Sequence, residues 1–275
     1  MIASKQNWRL ILSPPHNGAT NMAIDEVLLN NCQNPGTLPV LRFYSWDPPC
    51  LSLGRSQSID DVNIDRLAKY QWGLVRRPTG GKGILHIDEL TYSVIANADH
   101  PIMAGGVLPS YQRISSVFLY ALTKLGLKAE SKELASPAVP SLNGPVCFET
   151  PSNYEIVCNG KKLIGSAQAR KGNGVLQHGT IPLFGDISRI VTVLKFQDSD
   201  TLAAARNKVC SRATTIQDSF GEEIPAETII GAILEGFVKL FDISFSESIL
   251  SNNEAQASTA LAEKKYLDQA WNTRI

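Results

Sequence analysis

The dipeptide Asn159-Gly160 constrains the fold of this chain more than any other feature. It separates two alternating runs, "YEIVC" and "KKLIGSAQ", and Asn-Gly between such runs favours a two-residue type I′ turn whose twist suits paired strands. A turn of that kind fixes the register, so that Cys158 pairs with Lys161 and Val157 with Lys162. Strand side chains alternate faces. Asn153, Glu155 and Val157 therefore share a face with Lys162, Ile164, Ser166 and Gln168, while Cys158 and Lys161 share the other. Two adjacent lysines cannot then line the same cavity, and Lys162 is the one with small and polar neighbours. Spacing alone still allows both to be solvated ammonium groups.

Cys147 stands just before the hairpin, ahead of an aromatic residue, an acid and Pro151. A lone cysteine is commonly a small buried hydrophobe. It acts as a nucleophile only as a thiolate. A thiol of pKa about 8.5 is a few per cent ionised at pH 7, and a nearby ammonium raises that share. Lys162 is a candidate for that ammonium.

The rest of the chain alternates helical and extended patterns. "TNMAIDEVLLNN" predicts a core helix starting near Met22 and capped by Thr20 or Asn21. "PVLRFYSWDPPCLSLGR" predicts two short strands flanking a turn, and Asp61 to Tyr70 a short helix. "GLVRR" predicts a strand running into the glycine-rich "PTGGKG", and "DELTYSVIA" and "LQHGTIPL" two more strands. Three-and-four spacing predicts helices over Ile114 to Leu125 and over "AETIIGAILEGFVKLF", with a last helix at "STALAEKKYLDQAW". Ala129 to Pro145, rich in Ser, Pro and Ala, predicts a loop or lid. Hairpin-linked strands with interspersed helices indicate an α+β or mixed α/β class: one large domain with a mostly antiparallel sheet flanked by helices. The expected boundaries are a body over 1–250 and a C-terminal helical extension over 251–275.

Lysine and arginine number 26 together, as do aspartate and glutamate, so no global field recruits nucleic acid or an anionic membrane. No run approaches the roughly 20 apolar residues that span a bilayer, and the first residues carry too short an apolar stretch for a signal peptide. A soluble, cytoplasmic protein is expected. Five cysteines, odd in number, widely spaced and free of C-x-x-C, argue against a disulfide framework and against a metal site.

Six segments in order, "NMAIDEVLL", "RFYSWDPPCLSLGRSQ", "VRRPTGGKGILHIDELTYSV", "CFETPSNYEIVCNGKKLIGSAQAR", "LQHGTIPL" and "EKKYLDQAW", resemble the lipoate-protein ligase and octanoyltransferase family across nearly the whole chain. The chain looks most like the cysteine-dependent octanoyl-[acyl-carrier-protein]:protein N-octanoyltransferase branch. The resemblance implies the fold shared by biotin and lipoate ligases and by the catalytic domain of class II aminoacyl-tRNA synthetases. It places Cys147 on the family's nucleophile and Lys162 on its active-site lysine. Biotin ligases usually carry "GRGR" where this chain has "RRPTGGKG", and the chain departs from its own branch at Gly83, where Ala is usual.

The implied donor is octanoyl-acyl carrier protein and the implied acceptor is a lysine of a lipoyl domain, such as glycine cleavage H protein, with no cofactor. Lys162 and the backbone N–H groups around Gly80, Gly81 and Gly165 are candidates for holding the oxyanion. Arg76 and Arg77 are candidates either for the site or for structural ion pairing. His178 reads as a general base for the acceptor amine or as a structural histidine. His86, Tyr92, Asn153 and Ser166 are placed near the acyl site. Rival expectations are an ATP-dependent lipoate-protein ligase, an octanoyl amidotransferase acting between lipoyl domains, and a non-catalytic acyl-binding protein.

Overall fold

The computed structural model describes residues 6–133 and 154–274. Its strands are β1 Gln6–Leu12, β2 Val40–Tyr44, β3 Cys50–Leu53, β4 Gly73–Arg76, β5 Ile84–His86, β6 Glu89–Asn97, β7 Ala129–Glu133, β8 Tyr154–Cys158, β9 Lys161–Lys171, β10 Gly174–Pro182 and β11 Ile243–Glu247. Its helices are α1 Gly18–Asn31, α2 Ile64–Tyr70, α3 Val107–Lys124, α4 Ser199–Arg212, α5 Ile216–Phe220, α6 Ala226–Phe241, α7 Asn252–Leu261 and α8 Gln269–Thr273, with a 3-10 segment at Ile187–Val193.

Eight strands form one sheet in the order β11-β1-β2-β6-β10-β9-β8-β7, antiparallel except where β1 pairs with β11 and with β2. The class is therefore the expected one, mixed α/β with a mostly antiparallel sheet. A second sheet, β4-β3-β5, carries the glycine-rich loop after β4. The two strands expected to flank a turn, β2 and β3, lie in different sheets. Among the described residues no helix is long and apolar enough to cross a membrane.

Alternation divides the central strands cleanly. On one face Leu41 and Phe43 of β2, Tyr92 and Val94 of β6, and Val175 and Ile181 of β10 pack with Ile114 and Phe118 of α3 and Ile233 and Phe237 of α6. On the other, Val40, Ile95 and Leu176 pack against Ile24, Leu28 and Leu29 of α1. Helix α1 is buried nearly all round, eleven of its fourteen residues being inaccessible. It begins earlier than expected, at Gly18, because the Asn17 side chain accepts from the N–H of Thr20. Gly18 is required there: a Cβ would lie 2.5 Å from the Cys50 sulfur of β3. With that start Asp25 and Glu26 sit mid-helix rather than in the first turn.

Other boundaries also move. Helix α3 starts at Val107, ahead of its first periodic residue Ile114, and Ala129–Glu133, expected as loop, pairs with β8 as an edge strand. The last helix is broken in three: α7, a π-helical turn at Ala262–Tyr266, and α8 capped by Asp268. This C-terminal segment is tied to the body by half-buried ion pairs. Arg9 Nη1 and Nη2 meet Glu254 Oε1 and Oε2 at 2.7 and 2.9 Å, and Lys265 Nζ meets Glu26 Oε2 at 2.5 Å.

Burial opposes ionisation of Glu254, but the bonds from Arg9 and the Ser251 backbone N–H outweigh it and hold the carboxyl at about 2, against 4.5 unperturbed. A carboxylate depressed in the folded state stabilises above its unfolded pKa and loses that contribution as pH falls toward the folded one. Glu254→Gln should therefore melt below wild type at pH 7, and the gap should close between pH 4.5 and 2, as read by thermal melts across that range. A constant gap would mean that the pair does not carry the difference.

Candidate active site

The β8–β9 hairpin delivers the lysine. Val157 pairs with Lys162 and Cys158 with Lys161, and Asn159 and Gly160 take φ of 50° and 76°, as a type I′ turn demands. One step on, the register shifts: Ile156 pairs with Ile164, leaving Leu163 as an extra residue in β9. This bulge corrects the simple alternation. Ile164 turns to the face of Ile156 and Cys158, in the core with α3 and α6. Ser166 and Gln168, expected beside Lys162, also point to that face, where the Ser166 hydroxyl meets Tyr92 OH at 2.7 Å and Gln168 bonds Gln177. Lys162 instead arches over Gly165, at which a Cβ would lie 3.4 Å from the lysine Cε. It is buried, 4% exposed, with Nζ 2.6 Å from Oε1 of Glu155. Lys161 is exposed and donates to the carbonyl of Cys210 in α4.

Lys162, Gly165 and Ser166 line a cavity of about 400 Å³, within the size range of small-molecule sites. Arg77, Gly80 and Gly81 from the glycine-rich loop, His86 from β5 and His178 from β10 line it too. Two of the expected residues do not. Arg76 spends its guanidinium on the carbonyls of Gly54, Gln57, Trp271 and Asn272, docking the C-terminal segment. Tyr92 packs on Phe118 on the opposite face of the sheet. Cys147 and Asn153 lie outside the described residues.

Two buried relays end at this cavity. In the first, Asp25 Oδ2 faces His178 Nδ1 at 3.1 Å and His178 Nε2 faces Thr79 Oγ1 at 2.7 Å. Asp25 also accepts from Arg42 at 2.8 Å, Tyr44 OH at 2.9 Å and Ser93 at 3.0 Å. Burial alone would raise the Asp25 pKa, but the bonds from His178 and Arg42 outweigh it and hold the carboxyl below its usual value. Burial pushes the His178 imidazole down, against the opposing pull of Asp25. A neutral ring with Nδ1–H on a carboxylate leaves Nε2 as acceptor, so the Thr79 hydroxyl donates to it. His178 thereby clamps the glycine-rich loop.

In the second relay, His86 Nδ1 faces Glu89 Oε1 at 2.7 Å and Nε2 faces Ser52 Oγ at 2.7 Å, with the ring stacked on Trp46 at 3.9 Å. Arg77 donates to Ser52 Oγ at 3.1 Å and reaches the carbonyls of Gly80 and Lys82 at 2.8 and 2.7 Å. The loop is thus held at Thr79 by one relay and at Gly80 and Lys82 by the other. Gly54 lets it seat, since a Cβ there would lie 1.9 Å from the Gly81 carbonyl.

Residues 17–238 match the family described as lipoyl protein ligase A/B catalytic domain. The chain belongs to that family. Along its whole length it is similar to the octanoyltransferase LipM of Carboxydothermus hydrogenoformans, 40% identical with 98% of this chain and 100% of the relative covered. The LipM of Moorella thermoacetica is 37% identical, with 98% of each chain covered. Among solved structures of the same fold, the bi-partite lipoate protein ligase of Thermoplasma acidophilum superposes with a TM-score of 0.81 at 24% identity, covering 98% of this chain and 96% of that one. A lipoate-protein ligase A bound with ATP gives 0.80 at 25% identity, with 98% and 99% covered.

For a member of this family, sequence reasoning missed Asp25, Thr79, Ser52, Glu89 and Glu155. One signal was available: Arg42 is a lone charge inside the apolar run "VLRFY", and a buried cation needs a buried acid as its partner. Arg42→Met should destabilise the fold by about 3–5 kcal/mol in urea denaturation, because it leaves Asp25 buried without its cation. Adding Asp25→Asn should recover part of that loss. A cost under about 1 kcal/mol would mean that Asp25 does not need Arg42.

Proposed function

We propose that the protein is an octanoyltransferase, moving an octanoyl group from octanoyl-acyl carrier protein to a lysine of a lipoyl domain, such as glycine cleavage H protein, through a thioester on Cys147. What supports the reading is similarity over 98% of the chain to proteins named octanoyltransferase, together with a buried lysine on a cavity where the family resemblance expects one. The Cys147 thiolate attacks the carbonyl carbon of the donor thioester, and the carrier thiol leaves. The acceptor lysine, once deprotonated, attacks the enzyme thioester, forms the amide and returns the Cys147 thiolate. Thioester to amide runs downhill, so no ATP is consumed. Lys162 holds positive charge beside the thiolate and the oxyanion, with the N–H groups of Gly80, Gly81 and Gly165 as further donors. His178, neutral and bonded at both ring nitrogens, supports the loop rather than taking the acceptor's proton.

Incubation with octanoyl-acyl carrier protein should give a hydroxylamine-labile octanoyl adduct by intact mass, discharged by an apo lipoyl domain. Transfer from free octanoate or lipoate with ATP, in the absence of acyl carrier protein, would instead identify a ligase. Cys147→Ala should abolish adduct and transfer. Cys158→Ala, on the core face of the hairpin, should cost on the order of 1 kcal/mol of stability and little activity.

Lys162→Ala and Lys162→Arg should both fail in transfer, the second because a guanidinium is larger and differently hydrated. Lys162→Ala should also raise the pH at which Cys147 is alkylated, by roughly one unit or more, since an ammonium stabilises a nearby thiolate. Lys161→Ala, whose ammonium is exposed on α4, is the matched control and should change neither readout. Equal behaviour of the two alanine variants would refute the assigned role of Lys162.

A further inference from the structure

Gly165 of β9 pairs with Thr180 of β10, Thr180 with Thr91 of β6, and Thr91 with Tyr44 of β2. These four residues make one straight row across the sheet, and all four line the cavity. With strands about 4.8 Å apart, the row spans about 14 Å from the backbone of β9 to that of β2. Its residues are small at the β9 end and bulky at the β2 end.

The two ends of the cavity differ in access as well. Along the glycine-rich loop the rim is open, with Ser56, Gly80 and Gly81 exposed. At the β2 end Met22 of α1, Tyr44 and Trp46 close it, at 1%, 2% and 8% exposure. We propose that Met22 and Trp46 form the end wall of an acyl channel running across these strands, and that this wall sets the length of chain the protein accepts. The inference rests on the transferase reading and adds its length selectivity. A saturated chain with bonds of about 1.5 Å and angles near 111° advances about 1.25 Å per carbon. From a carbonyl near Lys162, an octanoyl tail then reaches about 9 Å along the row. The remainder of the span is taken up by the side chains of the wall and of Lys162.

The wall is thin. Trp46 and His86, stacked at 3.9 Å and 13°, line this cavity on one side and a second depression of about 190 Å³ on the other. Tyr44 is committed to Asp25 through its hydroxyl, and Trp46 donates to Thr91 at 2.8 Å. Met22 makes no polar contact of this kind and is the wall residue whose size can change without loss of a hydrogen bond.

The test is a binding series that needs no turnover. Acyl-pantetheine amides, with nitrogen in place of the thioester sulfur, are titrated by calorimetry from hexanoyl to dodecanoyl. Wild type should bind the octanoyl amide best and the dodecanoyl amide about 10-fold or more weaker, since even one misplaced methylene in a closed pocket is worth about that factor. Met22→Ala should move the optimum to decanoyl or dodecanoyl, and Met22→Phe to hexanoyl. Should Met22→Ala fail to fold, Trp46→Phe reads the same wall and should also favour longer chains. A flat length profile in wild type, or variants that keep the wild-type optimum, would overturn the inference. A protein that shows the length profile yet transfers no acyl group refutes the transferase reading and leaves the end wall standing.

Discussion

Asp25 and Arg42 are both fully buried, 2.8 Å apart, and the site is built outward from that pair. A lone carboxylate in this position would be expelled or protonated. It remains ionised because four groups from three strands converge on it: Arg42 and Tyr44 from β2, Ser93 from β6 and His178 from β10. A buried pair of this kind adds little net stability over an apolar alternative of the same volume. What it supplies is position. Together the bonds fix α1 against three strands of the sheet to within a hydrogen-bond length, and Met22, three residues before Asp25, is set at the cavity by the same constraint.

The same carboxylate reaches the glycine-rich loop through His178 and Thr79, while Glu89 reaches it through His86, Ser52 and Arg77. Gly80 and Gly81 are exposed, and a glycine pair at a surface is ordinarily loose. Here Thr79 is buried and bonded to His178, and the carbonyls of Gly80 and Lys82 are bonded to Arg77 from an independent direction, so the loop is exposed without being free. Donors that must meet a developing oxyanion are effective only when they are already in place. Two carboxylate–histidine relays feeding one loop hold it in place, as the proposed oxyanion role of Gly80 and Gly81 requires.

The hairpin was legible because Asn-Gly dictates turn type and turn type dictates register, both of them local effects. Its bulge was not. Leu163 is an ordinary strand residue, and only packing of Ile164 with Ile156 and Cys158 against α3 and α6 reveals that β9 gains a residue there. Lys162 kept its expected direction because it lies between the turn and the bulge, whereas Ser166 and Gln168, beyond the bulge, did not. Helix α1 shifted for a similar reason, since capping by Asn17 and the close approach of Gly18 to Cys50 outweighed the Thr20 and Asn21 signals. The adjacent arginines look equivalent in sequence. Their roles differ because Arg76 ends β4 facing the C-terminal segment, and Arg77 faces the loop.

Strands β2, β6, β9 and β10 use their two faces for opposite purposes. Toward α3 and α6 they present Phe43, Tyr92, Ile164 and Ile181, which fill space at core density. Toward the second sheet and the glycine-rich loop they present Gly165, Ala167, Thr180 and Thr91, too small to fill the space to Ser52, Arg77, Ile84 and His86, and a void remains with Met22 of α1 in its lining. A void forfeits dispersion contacts along its lining and would collapse if the loop and helix around it were free to settle. The polar row one step along the same strands, with Arg42, Ser93 and His178 bonded to Asp25, fixes Met22 of α1 and, through Thr79, the loop, and so opposes that settling. The buried polar network and the cavity are in this sense one device: the first row holds helix and loop in place, and the second row leaves between loop and sheet the room that the proposed acyl chain would fill.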